Sequence, residues 1–208
     1  MFLQLVSVNR ALLTAAALWS LSLTACQTAV STTAPAAVTA ASQIKATPLL
    51  QNSDFKLWVA QGTVACAAQW VCSQHTGPLS YVFALDKAVT KSGSGSASVE
   101  RTGPEDWGTM WQDLDYKAVA GRKIKVSADI KRVGVVGKGG GLSFVSSGGS
   151  MTDQAPIVDK FIEGTNDWRR EELIISLPRS MSYSRVGFSL EGSGKMWVDN
   201  FNVEILPN

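Results

Sequence analysis

The 208-residue chain is poor in the side chains from which most metal and catalytic sites are built. A single histidine, His75, excludes any site that needs several histidines. Charged residues make up only 17% of the chain and the net charge is +2, which argues against a nucleic-acid-binding protein and against a disordered, solvated chain. Neither a phosphate-binding loop nor a G-x-S-x-G nucleophile motif occurs. The three cysteines are an odd number, which in a secreted protein leaves one to be explained.

The N-terminal segment explains the odd cysteine. Residues 11–23 are mostly apolar and follow Arg10, but spanning a bilayer takes about 20 residues, so they are typical of a secretory signal peptide. Leu23-Thr24-Ala25-Cys26 resembles the lipobox of bacterial lipoproteins. The resemblance implies a signal peptide over 1–25, lipid on the Cys26 thiol, and stable membrane anchoring by two or three acyl chains. Gln27 in place of Asp favours the outer membrane in a Gram-negative host. The alternative is an ordinary signal peptide with an incidental cysteine.

Two further segments follow the lipobox. Residues 26–47 are rich in Ala, Thr and Ser, and we expect a flexible tether there, with a short Ala-rich helix as the alternative. Residues 48–208 carry short apolar–polar alternations separated by Gly, Pro, Asn and Ser, which predicts an all-β domain of eight to ten strands. The clearest strand is 123–131, where even-numbered positions are apolar. The glycine-rich stretch 137–141 predicts a hairpin.

Several motifs in this domain carry a family resemblance. They are Asn52-Ser53-Asp54-Phe55, Gly164-Thr165-x-Asp167-Trp168 and the closing Gly194-Lys195-Met196-Trp197-Val198-Asp199-Asn200. In this order they resemble galactose-binding-like jelly-roll domains of the carbohydrate-binding-module type, and also the accessory jelly-roll domain of some bacterial esterase-like and peptidase-like proteins. The resemblance implies a two-sheet jelly-roll β-sandwich, and it makes Trp70, Trp168 and Trp197 framework residues.

The resemblance also raises the question of a structural calcium. Lys56 and Asn200 replace acidic residues that in many relatives help to hold that ion, whereas Asp54 and Asp199 could still supply two ligands. Calcium requires six to eight oxygen ligands. We therefore expect no cofactor, and a structural calcium at Asp54 and Asp199 is the alternative.

The two remaining cysteines, Cys66 and Cys72, have five residues between them. This spacing differs from the C-x-x-C of redox and zinc sites, and the envelope outside the inner membrane is oxidising. We predict a disulfide that restrains Trp70 and the loop around it.

Tryptophan is the best candidate for ligand contact. Side chains alternate along a strand, so Trp107, Trp111 and Asp113 should share the face opposite Leu114. If this strand pairs with 123–131, Ser127 and Asp129 lie beside Trp111. An aromatic ring among polar groups suits a glycan or a peptide. The alternative is that a loop or a second copy of the chain covers Trp111.

These features predict a binding protein rather than an enzyme. We expect a lipid-anchored envelope module that recognises wall or surface carbohydrate and has no nucleic-acid partner. The alternative is a protein-interaction or assembly lipoprotein that uses the sandwich as a scaffold. His75 has no evident nucleophile partner, and Glu171 and Glu172 must point to opposite faces of a strand. A carboxylate pair among Asp153, Asp159 and Glu163 stays open.

Overall fold

Most of the described chain is β-strand. The computed structural model describes residues 48–150, 153–154 and 157–207, so the predicted signal peptide, Cys26 and the predicted tether lie outside the described residues. The strands are β1 (Trp58–Gln61), β2 (Val64–Ala67), β3 (Val71–Gln74), β4 (Tyr81–Asp86), β5 (Ser96–Arg101), β6 (Gly108–Asp113), β7 (Lys123–Ser150), β8 (Asp153–Gln154), β9 (Ile157–Ser176) and β10 (Met181–Leu206). A short helix, α1 (Tyr116–Val119), lies between β6 and β7. Within these ranges, no helix has the length and apolar character needed to cross a membrane.

Three long strands pass through both layers of a sandwich. Residues 185–190 of β10 pair with β6 and with residues 140–145 of β7. Together with β3 and residues 157–162 of β9, they form sheet I, in the order β3–β6–β10–β7–β9. Residues 195–206 of β10 pair with residues 123–133 of β7, and with β5, β4 and the end of β9 they form sheet II, in the order β4–β5–β10–β7–β9. All pairs are antiparallel, which confirms the predicted two-sheet jelly-roll sandwich.

The long strands change sheet at glycines. Gly137 of β7 pairs with Gly192 of β10, and the register shifts on either side of Gly192. Both glycines have positive φ, 103° and 149°, and a Cβ on Gly192 would collide with the carbonyl oxygen of Val136. The hairpin predicted over 137–141 is therefore wrong. Residues 137–141 instead lie within β7, which passes from one sheet to the other at these glycines. Its partners β9 and β10 change sheet at the same level.

The core between the sheets follows the alternation of β7. Four inward-facing side chains of its first half are fully buried: Ile124, Val126, Ala128 and Ile130. This confirms the period-two strand. Arg132 occupies the same inward phase and is also fully buried. Its guanidinium donates to both carboxylate oxygens of Glu171, at 2.6 and 2.9 Å, and its Nε donates to the carbonyl of Gly140 at 2.9 Å.

The start of the domain closes one end of this core. Cys66 and Cys72 form a disulfide, as predicted. Trp70 lies within the enclosed loop and is buried, which confirms its framework role. Its ring packs 5.0 Å from Phe55 and 5.2 Å from Phe201, measured between centroids. The disulfide and this aromatic cluster therefore fix the segment that leads into β3 at the edge of sheet I.

Candidate functional site

A groove crosses the outer surface of sheet I. Its central cavity, of about 240 Å³, is lined by side chains from β3, β6, β7, β9 and β10 and by Trp107. A cavity of about 430 Å³ adjoins it at Trp111 and reaches Pro48. A third, of about 460 Å³, shares Trp107 and Glu191 with the central one and reaches Arg101. We call these three neighbouring cavities, which share lining residues, the groove, and their arrangement suits an elongated ligand.

Strand β6 places its tryptophan in the groove by simple alternation. Met110 and Gln112 point inward and are buried, so Trp111 between them points outward. Trp107 precedes the strand and lines the same central cavity. The structure thus brings the two tryptophans to one surface, as predicted. On β10, Gly187 lies directly opposite Trp111, so no side chain covers the floor of the groove there.

Trp111 is stacked against a guanidinium. The Cζ atom of Arg185 lies 3.0 Å from the centroid of the Trp111 ring and 5.0 Å from that of Tyr183. Arg185 Nε also donates to Asp113 Oδ1 at 3.3 Å. Burial raises the pKa of the Tyr183 hydroxyl above its usual value. Asp113 therefore lies beside the Trp111 site, as predicted, but its partner is Arg185, which the sequence prediction did not include.

The other end of the groove is formed around Trp107. The His75 ring packs edge-on against the Trp107 ring, with centroids 5.9 Å apart. His75 Nδ1 is 3.0 Å from Glu105 Oε2. Lys138 Nζ donates to Glu191 Oε2 at 2.9 Å, which raises the pKa of Lys138. The sequence indicated no nucleophile partner for His75, and nothing in its local pattern indicated that it lies next to Trp107.

Strand β9 contributes two groove residues, of which the sequence indicated only Asp159, as a member of a possible carboxylate pair. Asp159 and Phe161 line the central cavity together with Glu191 and Arg185. Asp159 lies within β9, two positions from Phe161 and therefore on the same face. The central cavity thus has two carboxylates and one guanidinium among aromatic rings.

Ser127 and Asp129 are not part of this site. The predicted pairing of their strand with β6 is wrong, because β6 pairs with β3 and β10. Residues 123–133 belong to sheet II, where Arg170 donates to Ser127 Oγ at 2.7 Å and lies 3.4 Å from Asp129 Oδ2. Asn200 Nδ2 also donates to Asp129, at 2.9 Å. Both residues thus bond within sheet II, away from Trp111.

The two candidate calcium ligands have partners within the protein. Asp54 pairs with Lys56 at 2.7 Å, and this hydrogen bond lowers the pKa of the Asp54 carboxyl. The buried carboxylate of Asp199 accepts five hydrogen bonds, from Thr90, Lys91, Ser92 and Asn200. Within the described part of the chain, no group of three or more His, Cys, Asp or Glu side chains is placed to hold a metal ion.

The remaining framework tryptophans lie on sheet II. Trp197 is buried, and its indole N–H donates to Asp86 Oδ2 at 2.8 Å, which agrees with a packing role. Trp168 is only half-buried, so it is less enclosed than predicted. It provides a partly exposed tryptophan outside the groove, with which Trp111 can be compared.

Comparison with known proteins places the fold among jelly-roll domains. The chain superposes on the carbohydrate-binding module TmCBM61 in complex with β-1,4-galactotriose, with TM-score 0.51, 12% identity, and coverage of 77% of this chain and 99% of that one. The xylan-binding domain of carbohydrate-binding module family 22 gives TM-score 0.50 at 17% identity, covering 67% of this chain and 88% of that one. The enzymatically active domain of bacteriophage CBA120 tailspike protein 4 gives TM-score 0.52 at 12% identity, covering 76% of this chain and 21% of that one.

Comparison of the amino-acid sequence with known families and curated proteins gives little information about function. No family model matches the chain. A curated relative, the uncharacterized HTH-type transcriptional regulator YbfP of Bacillus subtilis (strain 168), is 25% identical over 141 residues, which cover 63% of this chain. The chain spans 45% of the length of that relative. The fold is thus shared with carbohydrate-binding modules at low sequence identity.

Proposed function

We propose that the domain binds an extended glycan along the groove of sheet I without transforming it. The observation that carries this proposal is the pair of tryptophans, Trp107 and Trp111, which line the neighbouring cavities of the groove. Sugar rings have apolar C–H faces that pack on aromatic rings, and their hydroxyl groups need polar partners. The carboxylates of Asp159 and Glu191 offer acceptors for such hydroxyls. The jelly-roll neighbours that bind β-1,4-galactotriose and xylan support this assignment.

A binding role accounts for the polar groups better than catalysis does. The exposed His75 pairs with Glu105, and Glu191 pairs with Lys138, so these groups already have charged partners. A general acid–base pair needs groups placed around a common reacting atom. The groove instead distributes its polar side chains along its length, an arrangement that favours recognition of a chain.

We further propose that the domain is held at a membrane through lipid on Cys26, in the outer membrane if the host is Gram-negative. The support is the lipobox-like sequence and the apolar segment before it. Pro48 lines the end of the groove next to Trp111, so the tether would join the domain at that end. A Cys26→Ala variant should lose incorporation of labelled palmitate and move from the membrane to the soluble fraction. Equal labelling of both proteins would contradict the lipid anchor.

The glycan proposal is tested with purified protein on an array that includes β-1,4-galactan and xylan oligosaccharides. Trp111→Ala should weaken binding at least tenfold, because truncating a central tryptophan typically removes about 2 kcal/mol or more. Trp168→Ala is the matched control, since it truncates a half-buried tryptophan on sheet II. Both variants should melt within a few degrees of the wild type. Unchanged glycan binding by a folded Trp111→Ala variant would refute the assignment.

A protein-binding role is the second candidate, and one surface favours it. Leu79 and Val82 are 58% and 50% exposed and lie at an apolar cavity of about 230 Å³ between β2 and β4. Apolar side chains gathered around a concavity are typical of protein contacts. A Leu79→Ser/Val82→Ser variant should keep glycan binding if the groove is the functional site. Binding of an envelope protein that is lost in this variant but kept in Trp111→Ala would favour the second role.

A further inference from the structure

The aromatic ring best placed for a sugar is already covered. The guanidinium of Arg185, at 3.0 Å from the centroid of Trp111, occupies one face of the indole. This is the volume that a stacked sugar ring would need on that face. Trp107 at the other end of the groove has an edge-on histidine instead of a stacked cation. The two tryptophans therefore differ in how freely a ligand can reach them.

The pairing of β6 with β10 builds this arrangement into the sheet. Arg185 is directly opposite Asp113, and Trp111 is directly opposite Gly187. A Cβ at Gly187 would collide with the backbone of Met110 and Trp111, so the glycine lets β10 approach β6 closely at this pair. Asp113 holds Nε of Arg185 at 3.3 Å, and Tyr183, two residues earlier on β10, lies 5.0 Å from its Cζ. The guanidinium is thus held by one carboxylate and two aromatic rings.

Building on the proposed glycan function, we propose that Arg185 determines ligand specificity by covering one face of Trp111. We call this guanidinium the latch of the groove. A ligand that stacks on this face of Trp111 has to displace the guanidinium first. Displacement breaks a cation–π contact and an ion pair that is partly exposed, with 31% of the Arg185 side chain and 59% of the Asp113 side chain accessible. Contacts of this kind correspond to about a three- to thirtyfold change in an equilibrium constant. The latch thus rejects ligands whose contacts with the groove are too weak to offset this loss.

A first experiment tests the latch without any ligand. Acrylamide quenching of tryptophan fluorescence should increase in Arg185→Ala relative to the wild type, because one face of Trp111 becomes accessible. The same substitution in a Trp111→Phe background should leave quenching unchanged, which assigns the effect to this ring. Asp113→Asn removes the anchoring charge while keeping the side-chain size, and it should increase quenching by a smaller amount. Equal quenching of wild type and Arg185→Ala would overturn the proposal.

A second experiment measures affinity with the galactan and xylan oligosaccharides as probes. Arg185→Ala should bind the better probe about three- to thirtyfold more tightly than the wild type, and this gain should vanish in a Trp111→Ala background. Weaker binding by a folded Arg185→Ala variant would overturn the latch, since it would make Arg185 a ligand contact. If no probe binds to the wild type or to any variant, the proposed glycan function fails for these sugars. The quenching result still decides whether Arg185 covers Trp111.

Discussion

The buried pair Arg132–Glu171 provides the sharpest test of how this sandwich is stabilised. Arg132 is fully buried and Glu171 is 2% exposed, and two hydrogen bonds of 2.6 and 2.9 Å join them. Arg132 also donates to the carbonyl of Gly140 and, at 3.2 Å, to Asn166 Oδ1. Glu171→Gln keeps the shape of the side chain but leaves the guanidinium charge without its counter-ion.

The expected cost of Glu171→Gln is large. Removing one partner of a buried ion pair leaves an uncompensated charge in a low-dielectric interior and typically costs about 3–5 kcal/mol. For a domain of this size, each kcal/mol lowers Tm by about 2–4 °C, so the melting point should fall by roughly 6–20 °C. The matched control is Asp167→Asn, which breaks the neighbouring β7–β9 pair Lys131–Asp167 at 2.8 Å. Since the Asp167 side chain is 82% exposed, this variant should melt close to the wild type.

Urea denaturation followed by tryptophan fluorescence measures both variants and gives the free energy of unfolding. The double variant Arg132→Met/Glu171→Leu should recover most of the loss, because apolar residues of similar volume remove the buried charge together with its partner. A loss below about 1 kcal/mol in Glu171→Gln would refute the reasoning, since it would mean that water or another group neutralises Arg132. Equal losses in Glu171→Gln and Asp167→Asn would refute it as well.

Three further predictions concern the disulfide and the carboxylates of Asp199 and Asp86. Replacing both Cys66 and Cys72 by alanine should lower the free energy of unfolding by about 2 kcal/mol, the chain-entropy value for so short a loop, and thiol titration of the unreduced, denatured wild type should find neither thiol free. Because protein donors fill the hydrogen-bonding positions of Asp199, neither calcium nor a chelator should change Tm, and a rise with calcium that a chelator reverses would contradict this. Burial acts to raise the pKa of Asp86, but hydrogen bonds from the Trp197 indole and from backbone N–H groups outweigh it and hold the pKa below 3.8. The stability that this carboxylate adds is therefore present above pH 3.8 and lost as pH falls through the folded-state pKa, so the difference in unfolding free energy between wild type and Asp86→Asn should shrink below about pH 4.

Local patterns in the sequence were enough to predict the fold class and to place the two tryptophans of the groove. The alternation over 123–131 predicts which side chains of β7 face the core, and burial of its even-numbered residues confirms it. The same reasoning places Trp111 on the outer face of β6, and Trp107, just before the strand, lines the same cavity. These predictions succeed because the direction of a side chain within one strand depends only on the two-residue period. Glycan binding and the lipid anchor remain predictions.

Local patterns in the sequence could not predict which strands pair with each other. The sequence assigned Ser127 and Asp129 to Trp111 on the assumption that neighbouring strands in the chain pair with each other. In a jelly roll many pairs are distant in sequence: Trp111 pairs with Val71 on one side and with Gly187 on the other. Arg185 therefore reaches Trp111 across 74 positions of sequence, and no local signal links the two residues.

One overlooked signal was present in the sequence. The even-numbered residues of β7 up to Ile130 face the core, and Arg132 is the next even-numbered residue. In a regular strand, this charged side chain must also face the core. A buried arginine requires a carboxylate partner. In β9, Glu171 alternates with the buried Leu173 and Ile175, so these three side chains face the core. Alternation in two strands could therefore have selected this pair from the other charges.

The bending of β7, β9 and β10 explains why one strand contributes to surfaces with different roles. On β10, Arg185 faces the groove in sheet I, whereas Asp199, beyond the bend at Gly192, organises the loop at Thr90 beside sheet II. The bend also places Glu191, and with it Lys138, at the Trp107 end of the groove. The glycines of the bend thus set one end of the groove, while the pairing of β6 with β10 sets the other. Because these two determinants are separate, a substitution at the bend should alter ligand contacts near Trp107 and leave the Arg185–Trp111 stack intact.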